Sequence, residues 1–175
     1  MIQAALNSEE LDWKRLDLKK NDFLIRRGEV EKHIYYILKG AVRAFSIIEE
    51  NEKTIRFGYS NSIINSLSSY LTSKPSELSI QALRKTTILQ CSKTSFETYV
   101  NATKERLSAY NTILNESIVG LIEREIDLMH TKPTNRIKRL QERSPQLFQE
   151  VPHKYIAAYL KMSPETLSRL LNNKM

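Results

Sequence analysis

Glu165, Ser168 and Arg169 recur at spacings of three and four residues, so a helix would set all three on one face. As a group they suit recognition rather than reaction. A carboxylate can accept from cytosine N4, and a guanidinium can bond guanine O6 and N7 through two N–H groups, worth about 1–3 kcal/mol of discrimination. Arg169 is the strongest candidate for such direct base readout. Lys154, Lys161, Thr166 and Lys174 flank the set and suit phosphate oxygens, contacts that fix register without carrying sequence. Plainer roles exist for two of these residues. Glu165 could serve the dipole of its own helix in the first turn, and Arg169 could sit in a surface ion pair.

The elements that must position these side chains lie in His153–Asn172, HKYIAAYLKMSPETLSRLLN. The first helix runs from about His153 to Leu160, the turn is Lys161–Met162–Ser163, and the second helix starts at Pro164. Ser163 can cap it by accepting a backbone N–H. Pro164 fits the first helical position, where a missing N–H costs nothing. Ile156, Leu160, Met162, Leu167 and Leu170 share an inner side, and Ala157 is small where the helices must nearly touch. This is the helix-turn-helix pattern, whose second helix enters the major groove of DNA. Lys161 stands where such turns usually carry Gly, and a left-handed backbone there would cost about 1 kcal/mol. A plain helical hairpin is the bland alternative.

Charge favours the first of these. Net charge is +7, and residues 131–175 hold nine Lys/Arg against three Asp/Glu, whereas residues 1–130 hold eighteen against seventeen. The excess therefore lies with the helix-turn-helix, as a nucleic-acid-binding module requires. The chain has 175 residues, enough for one large domain or two small ones with a proper core. No segment approaches a membrane span. The opening MIQAALNSEELDWKRL lacks the basic-then-apolar order of a signal peptide. Cys91 is alone, which excludes an internal disulfide, an iron–sulfur cluster and a cysteine-based zinc site. These features point to a cytoplasmic protein without metal. No nucleophile–base spacing or Gly-rich phosphate loop points to an enzyme, so no catalytic residues are assigned.

The first half is β-rich. Ser8–Leu16 predicts a short amphipathic helix with Trp13 as a packing anchor. Phe23–Ile25, Ile34–Leu38, Ala41–Ile48, Thr54–Phe57, Ile63–Ile64, Leu78–Leu83 and Ile88–Ser92 read as strands. Arg27–Gly28–Glu29, Lys39–Gly40 and Glu49–Lys53 read as turns between them. Strands at this spacing predict an antiparallel sandwich or jelly roll, able to enclose a ligand pocket or to act as a scaffold.

After Lys93–Thr94–Ser95 the chain reads as helical to about His130. Leu107, Leu114, Ile118, Leu121 and Leu128 form a heptad seam with Asn111 and Glu125 at its polar positions, which predicts a parallel homodimer. Tyr110, Ile113, Ile122, Ile126 and Met129 form a second stripe beside it. One stripe can pack on the β-domain and the other on a partner; a single helix buried on one wide face is the alternative. Thr131–Thr134 breaks the helix at Pro133. Thr134 is expected to cap Asn135–Arg143, with Arg136, Lys138, Arg139 and Arg143 outward.

The fold class is thus α+β: an N-terminal antiparallel β-roll or jelly roll, a long dimerisation helix and a C-terminal helix-turn-helix domain, with boundaries at 1–103, 104–130 and 131–175. This order resembles the Crp/Fnr regulators. The resemblance is carried by FLIRRGEVEKHIYYILKGAVRAF (Phe23–Phe45), with Gly28 and Gly40 at family turn positions, and by NRIKRLQERSPQLFQEVPHKYIAAYLKMSPETLSRLL (Asn135–Leu171). It implies a bacterial homodimeric transcription factor on a palindromic double-stranded DNA site, with RNA polymerase as a further partner.

The departures from the family are informative. Cyclic-nucleotide-binding members carry Gly-Glu-Leu and, about ten residues on, Arg-Ser, for ribose and phosphate. This chain has Asn65–Ser66–Leu67 and Ser76–Glu77 there, a degenerate effector pocket in which the ribose acceptor and the phosphate's cation are missing. Haem would need His33, His130 or His153 as axial ligand, and isolated histidines are a weak basis for one. No cofactor is assigned, and the identity of any small-molecule effector stays open. Pro164 replaces the Arg that often follows the capping Ser. Only Asn172–Met175 follows the second helix, where the family usually adds a β-hairpin wing, so affinity for DNA would depend on both protomers. The rival reading is a ligand- or protein-binding signalling module with a degenerate helix-turn-helix. On the pocket residues, cyclic AMP at physiological levels is expected to give no binding heat in calorimetry; measurable binding would overturn the degenerate-pocket assignment.

Overall fold

A computed structural model describes residues 2–172. In chain order it contains α1 (Ile2–Leu6), β1 (Lys14–Leu18), β2 (Phe23–Ile25), β3 (His33–Lys39), β4 (Ala41–Ile48), β5 (Asn51–Tyr59), β6 (Ile63–Ile64), α2 (Leu67–Thr72), β7 (Ser79–Ala82) and β8 (Thr86–Ser92). Six further helices follow: α3 (Lys93–Asn101), α4 (Lys104–Met129), α5 (Pro133–Arg143), α6 (Pro145–Glu150), α7 (His153–Tyr159) and α8 (Pro164–Asn172). The α+β class and the order of its parts are as expected from the residue pattern.

The strands form two antiparallel four-stranded sheets, ordered β1-β8-β3-β6 and β2-β7-β4-β5. Alternation sends Tyr35 and Ile37 of β3 into the space between them, with Val42, Ala44, Ile64, Ile80 and Ile88. Each fully buried Ile there contributes about 1.5–3 kcal/mol. Ile34 points the other way, into a second cluster with Tyr70, Phe96, Tyr99 and Val100. Both faces of β3 are therefore covered, which is why its apolar run is continuous rather than alternating.

Several sequence expectations are corrected. Ser8–Leu16 is not a helix. The Lys14–Leu18 stretch is β1, paired with Thr86–Gln90 of β8. Its alternating pattern is satisfied by a partner some seventy residues away, and this outweighs the local cap signal at Ser8. Trp13 does anchor, donating Nε1–H to the Ala5 carbonyl at 3.0 Å and meeting Phe96 edge-on. The turn expected over Glu49–Lys53 shortens to Glu49–Glu50, both with positive φ, and β5 begins at Asn51. The single helix expected after Ser95 is two. Ser92 caps the first through Ser95 N–H, and Thr103 caps the second through Arg106 N–H at 3.2 Å. Thr134 does not cap α5, whose N-cap is Lys132 with Pro133 in the first turn. Lys132 has ψ near 118°, as a residue before proline should.

Gly40 links β3 to β4 at φ +107°, and a Cβ there would lie 2.7 Å from Thr86 Cα and 2.8 Å from the Lys85 carbonyl oxygen. Backbone angle and space both demand glycine. Gly40→Ala is expected to destabilise the fold by about 2–3 kcal/mol, measured as a lowered urea midpoint with an unchanged slope.

Candidate nucleic-acid interface

α7 and α8 pack through Ile156, Ala157, Leu160 and Leu167, all with no exposed surface, and Met162 and Leu170 close the cluster. The turn between them has the expected form. Thr166 N–H donates to Ser163 Oγ at 3.2 Å, which caps α8. Lys161 has φ +54°, so a lysine does hold the left-handed position. Its N–H bonds the Ala158 carbonyl and the Met162 N–H bonds that of Ala157.

Glu165, Ser168 and Arg169 are exposed, and the helical spacing puts them on one side of α8. Glu165 also serves its own helix. Its backbone N–H and the Ser163 hydroxyl hold its carboxyl below the usual carboxylate range. Thr166 is half-buried, with its hydroxyl 3.1 Å from Ser163 Oγ. Lys154 is exposed with its ammonium over the Tyr155 ring, and Lys161 is exposed at the turn. Lys174 lies outside the described residues.

What fixes this head to the rest of the chain was not foreseen. Asp127, in the last turn of α4, has a side chain only 1% exposed. Arg139 Nε reaches its Oδ1 at 2.6 Å and Arg143 Nη2 its Oδ2 at 2.5 Å. Arg143 also lies 3.5 Å from Glu123. Arg136 donates Nε–H to the His130 carbonyl at 2.7 Å and Nη1–H to those of Leu160 and Lys161 at 2.9 and 3.3 Å. Three of the four cations expected to face outward on α5 are thus spent on internal partners, and only Lys138 is confined to a surface pair, with Glu142. One signal was available: a lone Asp near the end of a long helix, followed by Arg139 and Arg143 at i, i+4 spacing.

The pocket residues also take definite places. Ser66 and Ser76 are buried and share a hydroxyl–hydroxyl bond of 2.7 Å. Ser66 N–H donates to Glu31 Oε2 at 3.1 Å, and Glu31 Oε1 accepts from His33 N–H and the Tyr35 hydroxyl. Glu31 is 1% exposed. Burial pushes its carboxyl up, while the Ser66 and His33 N–H groups pull it back. Asn65 and Leu67 are half-buried beside this network, and Glu77 is on the surface, where its carbonyl accepts from the Ser46 hydroxyl. Glu31 was missed because its partners are scattered along the sequence.

On α4, Leu107, Ile118 and Leu121 are exposed, and Leu114 and Leu128 half-buried. The second stripe divides. Tyr110 packs on Phe96, but Ile122, Ile126 and Met129 stay exposed. Arg124 and Asp127 take the inward positions instead.

Comparison with known proteins agrees with this architecture. The family description "Cyclic nucleotide-binding domain" matches residues 15–103. The chain belongs to the cyclic nucleotide-binding domain family. Its fold, in the Crp/Fnr arrangement, is similar to that of FixK2 from Bradyrhizobium japonicum (TM-score 0.80, 18% identity, 93% of this chain and 84% of that one). It is also similar to a CooA mutant from Carboxydothermus hydrogenoformans (0.69, 19%, 97% and 82%) and to a CRP-family transcriptional regulator from Thermus thermophilus (0.65, 15%, 90% and 83%). No curated protein matches. Among the described residues of this family member, no group of three or more His, Cys, Asp or Glu could hold a metal ion, and no helix is long and apolar enough to cross a membrane.

Removing the Asp127 charge leaves two guanidinium groups facing a buried amide. Asp127→Asn is expected to cost about 3 kcal/mol, the low end for a broken buried pair because Arg139 is partly solvated. Chemical unfolding followed by far-UV circular dichroism is the check.

Proposed function

We propose that this chain is a DNA-binding transcriptional regulator that acts as a homodimer on a palindromic site and does not respond to cyclic AMP. The observation that carries it is α8: a capped, well-packed helix that presents Glu165, Ser168 and Arg169 to solvent from one side. Arg169 is the base-reading residue, with Glu165 and Ser168 beside it. Lys154, Lys161 and Lys174 serve phosphates, with Thr166 a weaker contributor because its hydroxyl is engaged by Ser163. The Thermus thermophilus protein of similar fold is itself described as a transcriptional regulator.

Dimerisation through Leu107, Leu114, Ile118, Leu121 and Leu128 is supported by the apolar surface that α4 leaves uncovered. Ile118 and Leu121 keep about half of their surface in water, and patches of that kind mark interaction sites. The sensor part would be 1–103, the dimer helix 104–130 and the reading head 131–175. Independence from cyclic AMP is supported by the Ser66–Ser76–Glu31 network. Ser66 and Ser76 bond each other and Ser66 N–H donates to the buried Glu31 carboxyl, and none of these groups is the cation an anionic nucleotide would call for. RNA polymerase is the natural further partner of such a regulator.

A second reading, a ligand- or protein-binding signalling module, draws support from the docking of α7 on β5, where Tyr159 and Phe57 rings lie 5.3 Å apart. Selection of bound fragments from a random DNA pool separates the two. Wild type is expected to enrich a two-fold symmetric site. Arg169→Ala is expected to lose preference at one position of each half-site, at about 1–3 kcal/mol. Failure of the wild type to enrich any site even at low salt, where phosphate contacts are strongest, would favour the signalling module.

A further inference from the structure

A cleft of about 700 Å³ lies where β5, α4 and the reading head meet, a size that takes a small organic ligand. Arg56 of β5, Arg124 of α4 and Tyr159 of α7 all line it. Asn65, Ser66, Leu67, Ser76 and Glu77 do not. A smaller cleft of about 310 Å³ adjoins it, shares Arg56, Ser62 and Glu116, and is lined also by Asn65 and Leu67. Arg56 therefore stands between two open spaces.

Two cations in this cleft have donors left over for a ligand, and one of those donors is buried. The Arg56 side chain is half-buried, and no hydrogen bond or ion pair engages it among the described residues. Burial pulls its pKa below the ordinary arginine range, with Tyr159 and Tyr59 pushing back. Arg124 donates Nη2–H to the Thr54 carbonyl at 3.2 Å and lies over the Tyr159 ring at 4.7 Å, but its Nε–H is buried with no partner. Buried donors are almost always bonded, and an orphan needs a reason. The carboxylates on the lining do not supply one. Glu123 lies 3.5 Å from Arg143, and Glu116 is exposed and makes no ion pair among the described residues. Arg143 itself is held by Asp127. Phe57 and Leu147 add apolar wall.

We propose that this cleft binds a small organic anion, its carboxylate or phosphate taken by Arg56 and Arg124 and its apolar body set against Phe57 and Leu147. The site touches the β-domain, the long helix and α7 at once. A ligand there acts on the reading head to the extent that it binds one arrangement of α7 against β5 better than another. That regulatory meaning rests on the regulator reading above; the binding itself does not.

The full chain is titrated with phenyl phosphate by calorimetry, alongside inorganic phosphate and phenol. Phenyl phosphate is expected to bind, and each half-molecule to bind roughly tenfold more weakly or worse, because a charge-assisted bond and an apolar contact are each lost in turn. Arg56→Gln is expected to weaken phenyl phosphate by a similar factor with an unchanged urea midpoint. The arginine Nε–H resonances of the wild type give a measurement free of folding effects, and the Arg124 signal is expected to shift on saturation. Absence of binding heat at millimolar phenyl phosphate, an unmoved Arg124 signal, or equal affinity in a folded Arg56→Gln would overturn the site. Inorganic phosphate binding as tightly as phenyl phosphate would overturn the organic body. The titration contains no DNA, so its failure leaves the regulator reading standing, and a failed DNA selection leaves the cleft standing.

Discussion

One buried carboxylate sets where the C-terminal helices, the head proposed to read DNA, sit. A charge as enclosed as Asp127 is tolerable only when cations meet it directly. Arg139 and Arg143, one turn apart on α5, take one oxygen each. That fork fixes the direction in which α5 leaves α4 after the break at Pro133. α5 in turn supplies Ile137 and Leu140 to the core beneath α7, and its Arg136 holds the carbonyls at the end of α4 and at the helix-turn-helix corner. A single helix thus carries both the clasp and the brace. This changes the meaning of the charge excess after residue 130. Three of the nine cations there are spent on internal bonds, so the surface of this region is less basic than the composition implies.

The reading head has no core of its own apart from the β-domain. Ala41, Phe57 and Leu83 join Ile137, Leu140, Ile156 and Leu167 in one buried cluster. Arg43 lies over the Tyr155 ring at 4.8 Å, and Arg84 pairs with Glu150. Moving α7 away from β5 would expose Phe57 and Tyr159 and break these contacts together. Packed interfaces of this kind shift between discrete arrangements rather than deform gradually. A rearrangement of the head would therefore be felt at the β5–α4–α7 junction, where β-domain, long helix and head touch.

Features set by neighbouring residues were legible. Ser163 and Pro164 determine the start of α8 through a cap and a missing donor, and Gly40 marks a corner that no other residue could turn. The two-residue hairpin between β4 and β5 was blurred to a longer turn because Glu49 and Glu50 are poor formal signals for positive φ. Long-range partners were not legible. Ser8–Leu16 reads as a helix until β8 is beside Lys14–Leu18. Ser66, Ser76 and Glu31 look unrelated until the fold brings them within hydrogen-bond distance. The arginines of α5 look like an exposed face because a helical wheel does not show that Asp127 waits opposite. Glu165, Ser168 and Arg169, for which base readout is proposed, lie on an exposed face, since the exposed side of a capped amphipathic helix follows from its buried side.

The same geometry constrains any second copy that meets α4. The helix is pinned near its start by Tyr110 on Phe96 and at its end by Asp127, so its exposed strip, Ile118, Leu121, Ile122 and Met129, has a fixed azimuth relative to both sheet and head. A partner seated on that strip inherits this azimuth. In the dimer proposed above, the distance between the two α8 helices is then set by short, rigid steps: along α4, across the Asp127 fork, through α5 to α7. No flexible linker enters the path, because Thr131 and Lys132 are spanned by the Arg136 bond to the His130 carbonyl. In that proposed dimer, half-site spacing would be a property of packed side chains, and a change of a few degrees at the fork would reach α8 with the full lever arm of the head.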